Sequence, residues 1–311
     1  MIGKVGGYNG IDLAWLVAMK TCIESQTGAV EEESIHQRVS TMVESMPPFP
    51  QSVLRLMEMT KDFNCSPKDL VEVIEYDPVM TMKILKLVNS AFFSLSRDVL
   101  SIQHALVYLG MNTVKNLAIS IATMDALPHK SIPQLPMEKF LTHSLGTAFV
   151  AQRLAKEYLQ IKDVSDYFIA GLLHGFGKMV FIQLEPASYA LALQQTKDKN
   201  CPLAEMEVEH IGISYAEAGA MLAQSWQLPT SLVDSIRTHV DCDAKSSDMA
   251  ISVAAASMVA TAMGLGISGE CVVEEFPECI QQRLGCELEI IVEQMQALPD
   301  EVSKIQSMVR G

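Results

Sequence analysis

Nineteen consecutive residues, Met249 to Ile267, carry no charge. A segment of that length either crosses a bilayer or lies inside a core. This one is rich in alanine, contains Ser252, Ser257 and Thr261, and has Gly264 and Gly266 near its end. Its flanks are Asp248 and Glu270, with none of the basic anchors that fix a membrane span. It is read as a helix buried in a soluble core.

The rest of the pattern is helical too. Ser66-Pro67 and Asp77-Pro78 each place a cap before a proline at the first helical position. Leu70, Val71, Val73 and Ile74 follow at helical spacing, then Met82, Leu85 and Val88. Ser101 opens a helix that Gly110 stops, and Asn112 is expected to cap the next. No strand alternation competes, so the fold class is all-α, a helical bundle of two lobes. Pro128, Pro133 and Pro136 interrupt the periodicity and mark the boundary between the lobes. The expected layout is an extension over 1–34 with one amphipathic helix (Ile11 to Ile23) and a main domain over 35–290. That domain divides into a first lobe (35–125), a Pro-rich linker (126–138) and a second lobe (139–290). A helical tail over 291–311 completes it. On the long helix Phe140–Leu159, His143, Thr147, Val150 and Leu154 share one face. Helices are also expected at Ala187–Lys197, Leu203–Glu209, Ala216–Trp226, Ser231–His239 and Leu288–Met308, the last with a break at Pro299.

Composition excludes several function classes. The formal net charge is −14 and no Lys/Arg cluster occurs, which argues against a nucleic-acid partner. The seven cysteines are irregularly spaced without a C-x-x-C, as expected of reduced thiols in a cytosol. The spacing of Cys271, Cys279 and Cys286 suits one helix face. Leu13 to Met19 is too short for a membrane span and lacks a cleavage site after it, so cytoplasmic localisation without membrane insertion is expected.

The stretch Phe168-Ile-Ala-Gly-Leu-Leu-His-Gly-Phe-Gly-Lys178 carries the chemistry. It is not a phosphate-binding loop: that spacing needs glycine where Leu172 stands and Ser or Thr where Met179 stands, after a strand. His143, His174 and His239 each lie on or at the end of an apolar helix, which is how helical bundles build metal sites. Read singly, each is a core histidine bonded to a carbonyl. No carboxylate is placed beside them to share a metal, and Asp241 falls beyond the helix end. No G-x-S-x-G occurs, and no cysteine has a pKa-lowering context.

Met46-Pro-Pro-Phe-Pro50, Ser66-Pro-Lys-Asp-Leu70, Glu75-Tyr-Asp-Pro78, Lys83-Ile-Leu-Lys-Leu-Val-Asn-Ser-Ala91, Ser101-Ile-Gln-His-Ala105 and Tyr108-Leu-Gly110 together resemble the HDOD domain of bacterial signalling proteins. The resemblance continues through the His174 stretch, Ala216-Glu-Ala-Gly-Ala220 and Trp226-Gln-Leu-Pro229. It implies a fold related to the HD metal-dependent phosphohydrolases. By that resemblance His143 matches their first-helix histidine, and His174 the histidine of the His-Asp pair, with Gly175 in place of its aspartate. Lys178 matches a lysine that often follows. Tyr215 stands where metal-binding relatives carry another histidine. His239 matches the first of a His-His pair, with Val240 replacing the second, and Ser257 falls at the final aspartate. Losing both carboxylates removes the anionic ligands that hold a two-metal centre and help activate water.

The expectation is therefore a noncatalytic bacterial regulator acting through a signalling protein partner, with no second signalling module and no cofactor. His143, His174 and His239 are the only candidates for a single divalent metal. Two alternatives stand beside it: a residual phosphohydrolase acting on a nucleotide or phosphoester, and a sensor holding a nucleotide in the degenerate pocket.

Overall fold

The computed structural model describes residues 37–296 and 298, except 42, 60–65, 90–97, 127–129 and 272–274. The expected helix Ile11 to Ile23, Ser90 and Ala91 of the asparagine motif, Cys22, Cys65 and nearly all of the tail beyond 296 lie outside the described residues.

Among these residues the chain is helical, and the one strand-like contact is an isolated antiparallel bridge between Ile132 and Leu135. A helical segment at 37–41 and 43–45 comes first. The first lobe then contains α1 (Gln51–Met59), α2 (Pro67–Glu75), α3 (Pro78–Val88), α4 (Ile102–Leu109) and α5 (Met111–Ala126). The second contains α6 (Met137–Glu157), α7 (Ser165–Leu173), α8 (Gly177–Leu184), α9 (Pro186–Lys199), α10 (Leu203–Ile211), α11 (Tyr215–Ser225), α12 (Thr230–Thr238), α13 (Asp248–Ala262), α14 (Glu278–Leu284) and α15 (Leu288–Gln294).

The caps explain the starts. Ser66 Oγ accepts the Asp69 N–H, and the Asp69 carboxylate accepts the Ser66 N–H at 2.8 Å, a reciprocal box that satisfies two orphan donors of α2. Asp77 Oδ1 accepts from the Val79 and Met80 amides at the start of α3. Asn89, after α3, uses its side-chain amide in both directions: Nδ2 donates to Val99 O, and Oδ1 accepts from Val99 N–H. Val99, shortly before α4, is thereby tied to the end of α3.

In the second lobe, α6 packs along α7 and α13. The charge-free run is α13, buried on nearly every side. Its alanines let neighbouring backbones approach closely, and Ser247 caps it by accepting from Ala250 N–H. His143, Thr147, Val150 and Leu154 do form one buried face of α6. The lobes meet where Phe49 stacks on Trp226 at 4.7 Å between ring centroids, where Trp226 Nε1 donates to Pro47 O, and where Lys115 Nζ donates to Ser165 Oγ at 2.8 Å.

Two local expectations are corrected, and one helix is added. Asn112 does not cap a helix; α5 starts at Met111, directly after Gly110, so Asn112 sits inside its first turn. Cys271, Cys279 and Cys286 do not share a helix face, since only Cys279 is on a helix, α14. Helix α8 was not foreseen. Gly177 to Ile182 are all buried, so its pattern has no polar side to reveal a period. Ser165–Leu184 is long and apolar enough to cross a bilayer, yet 89% of that window is buried inside the protein, as in a core helix.

Candidate functional site

Six helices deliver one polar cluster into this apolar interior. His143 and Thr147 come from α6, and His174 caps the C-terminus of α7. Gly175 lies in the turn that follows, and Lys178 in the first turn of α8. Tyr215 opens α11, His239 caps α12 and Ser257 lies on α13. All seven expected residues are buried, Ser257 being the most exposed of the named side chains at 9%. The structure places these residues close together. The ring centroids of His143 and His174 are 5.4 Å apart, as are those of His174 and His239.

Backbone carbonyls set the imidazoles. His174 Nδ1 donates to Gly171 O at 2.6 Å and His239 Nδ1 to Ile236 O at 2.7 Å. A neutral imidazole that donates through Nδ1 presents a lone pair at Nε2. The His239 lone pair accepts from the Tyr215 hydroxyl at 3.1 Å. His143 Nε2 lies 3.2 Å from Ser257 Oγ and 3.4 Å from Thr147 Oγ1. His174 Nε2 has no hydrogen-bond partner among the described residues. Burial, reinforced by the Lys178 charge, pulls His143 down to about 3; burial also pulls His239 down to about 4. Burial and its two histidine neighbours hold His174 well below its ordinary value. All three rings are neutral at physiological pH.

Lys178 supplies the positive charge. Its Nζ donates to Ser268 O at 2.7 Å, pairs with Glu270 Oε1 at 3.5 Å and sits 3.9 Å from the Tyr215 ring centroid. Glu270 Oε2 accepts from Leu203 N–H, which ties α10 to this pair. Glu207 lies alongside, its Oε2 accepting the Tyr215 N–H at 2.6 Å. Burial pushes Glu207 well above the usual carboxylate range, against the pull of Lys178. Burial and the charges of Glu270 and Glu207 push the Tyr215 hydroxyl well up.

Sequence reasoning missed Glu207 and Glu270. Glu207 had a readable signal: it falls four residues after Leu203 and four before Ile211, on the buried face of α10. Glu270 was read only as the flank of an apolar run, because nothing local links it to Lys178.

The cluster does not fit a divalent metal. Among the described residues no group of three or more His, Cys, Asp or Glu side chains is placed to hold one. Two of the three Nε2 atoms already face hydroxyl groups, and Lys178 adds a cation within electrostatic reach. The space beside Gly175 is also taken. A Cβ at that position would stand 3.0 Å from Phe140 Cε2.

The HDOD domain family matches residues 46–242. The chain belongs to the HDOD family. Its solved relatives share the fold along most of its length. An HDOD domain protein of unknown function from Geobacter sulfurreducens is 22% identical, with a TM-score of 0.74 over 88% of this chain and 98% of that one. A provisionally assigned signal transduction protein from Marinobacter aquaeolei VT8 is also 22% identical, with a TM-score of 0.74 over 90% and 66%. A provisionally assigned phosphohydrolase from Shewanella amazonensis SB2B is 24% identical, with a TM-score of 0.68 over 87% and 97%. At these identities the likeness establishes the HDOD fold alone. An uncharacterised protein of Treponema pallidum (strain Nichols) is 26% identical over 217 residues, covering 70% of this chain and 41% of the relative. The chain thus spans about two fifths of that curated relative's length.

Proposed function

We propose that this HDOD chain is a noncatalytic signal-transduction protein that works in the cytosol through contact with other proteins. The observation that carries the reading is Phe140. Its ring crowds Gly175, the position where by resemblance the HD hydrolases carry the carboxylate that binds metal and helps activate water: a Cβ there would stand 3.0 Å from Phe140 Cε2. The other expected carboxylate position is Ser257, whose hydroxyl bonds to His143. A protein-contact role is supported by the apolar side chains that the first lobe exposes, among them Tyr76, Leu100 and Val107.

The competing reading, a residual phosphohydrolase, draws on one feature: His174 keeps a buried Nε2 with no partner among the described residues, oriented by a backbone carbonyl as metal ligands commonly are. One experiment separates the two. The purified chain is incubated with manganese and chromogenic phosphate mono- and diesters, and its metal content is measured in parallel. No turnover above buffer and no stoichiometric metal are expected. Turnover that disappears in a folded His174→Gln variant would overturn the noncatalytic reading.

A further inference from the structure

A cavity of about 450 Å³ opens beside the histidine cluster. Tyr215, His239 and Ser257 form part of its wall, and Ala254, Met258 and Ile280 give it apolar surface. The size is that of a small-molecule site. Its charged lining is of one sign: Asp241 and Glu270 face it, and among the described residues no lysine or arginine does. Lys178 is outside the lining, engaged with Ser268 O and Glu270. His239 is neutral, its Nε2 taken by Tyr215. Asp241 lies past the end of α12 and is exposed, and its carboxylate has no partner among the described residues.

We propose that this cavity binds a small organic ammonium ion, a cationic head carried on an apolar body. The head is drawn first by Asp241, with Glu270, already engaged by Lys178 and Leu203 N–H, as the second negative group of the lining, and the body packs on Ala254, Met258 and Ile280. A phosphate would meet two carboxylates with no free cation to offset them, so a nucleotide is the wrong ligand for this lining. The chain's net charge of −14 adds an attractive field for any cation. The inference is independent of whether the protein is catalytic, because it rests on the lining and not on the metal positions.

Titration calorimetry on the full chain tests it with four probes: n-hexylammonium, 1-hexanol, hexanoate and AMP. Hexylammonium is expected to bind at one per chain, about tenfold tighter than hexanol or hexanoate, with AMP giving no heat. Its affinity should fall as sodium chloride is raised. Asp241→Asn, at an exposed residue without a side-chain partner, should weaken it about threefold. Glu270→Gln should weaken it about tenfold, provided circular dichroism shows that variant folded. Hexanol or AMP binding as tightly as hexylammonium would overturn the proposal. So would hexylammonium affinity that Asp241→Asn leaves unchanged, and so would no binding at all.

Discussion

Position 175 sets the terms at the scale of single residues. An aspartate there brings its Cβ to 3.0 Å from Phe140 Cε2, so the ring must give way, and it buries a carboxylate in the same step. Overpacking and burial of a poorly partnered charge each cost about 1–3 kcal/mol, and Lys178 offsets part of the second. Gly175→Asp is therefore expected to lower stability by about 2–3 kcal/mol in a urea melt, without bringing stoichiometric manganese or zinc into the protein. Wild-type stability together with bound metal would contradict the packing argument. The histidines predict a pH dependence. Each has a folded value below its ordinary 6.5, so as pH falls through 6.5 the unfolded chain takes up protons that the folded chain refuses. Stability is thus fully present above 6.5 and declines below it, by up to about 1.4 kcal/mol per histidine per pH unit. The decline continues towards pH 4, where His239 begins to protonate in the fold, and pH 3, where His143 does. Glu207 acts in the opposite sense above its ordinary 4.5, since the folded state keeps a proton that the unfolded state releases, and it cancels one histidine in that window. The melting temperature should fall between pH 7 and pH 5, with a shallower slope in His174→Gln. A flat profile would mean that the rings are not neutral in the fold.

Between elements, the contact that fixes the site is the approach of α8 to α11. A Cβ on Gly177 would lie 1.9 Å from Tyr215 O and 2.5 Å from Gly219 N, so the two backbones touch where any side chain would stand. Gly177→Ala must push α11 away, and Tyr215 moves with it. It is expected to cost about 3 kcal/mol or more and to disturb the Tyr215–His239 hydrogen bond. Tyrosine fluorescence and a chemical melt would show both effects, and a near-neutral melt would refute the close approach. This contact was invisible in the sequence, where Gly175 drew attention as a missing ligand and Gly177 drew none. What was legible was local: Ser66-Pro67 and Asp77-Pro78 as helix starts, the α6 face carrying His143, and the buried α13. Helix α8 left no periodic trace because it is buried all round, and Glu270 gave no sign of meeting Lys178 from 92 residues away. Gly175 was noticed as a missing ligand, but Phe140 as the ring that crowds it required the fold.

Across the whole molecule, the buried apolar residues of the two lobes form one continuous core. Trp226 sits at the join, through its stack on Phe49 and its bond to Pro47 O. Trp226→Ala removes a large aromatic body, a loss of about 3–5 kcal/mol when such a ring is well buried and less where it is half-exposed as here. The expected sign is loss of cooperativity: the single thermal transition should split, with the first lobe melting earlier. Calorimetry that keeps one sharp transition would show that the lobes fold as a unit regardless of Trp226. The charge at the centre of the second lobe has a different consequence. A bound metal reports the supply of its ion, and chelators or competing ions can remove or exchange it. The ammonium of Lys178 is attached to the chain by covalent bonds from the moment of synthesis. No chelator strips it and no starvation empties it, so the charge at this position does not vary with the supply of any ion.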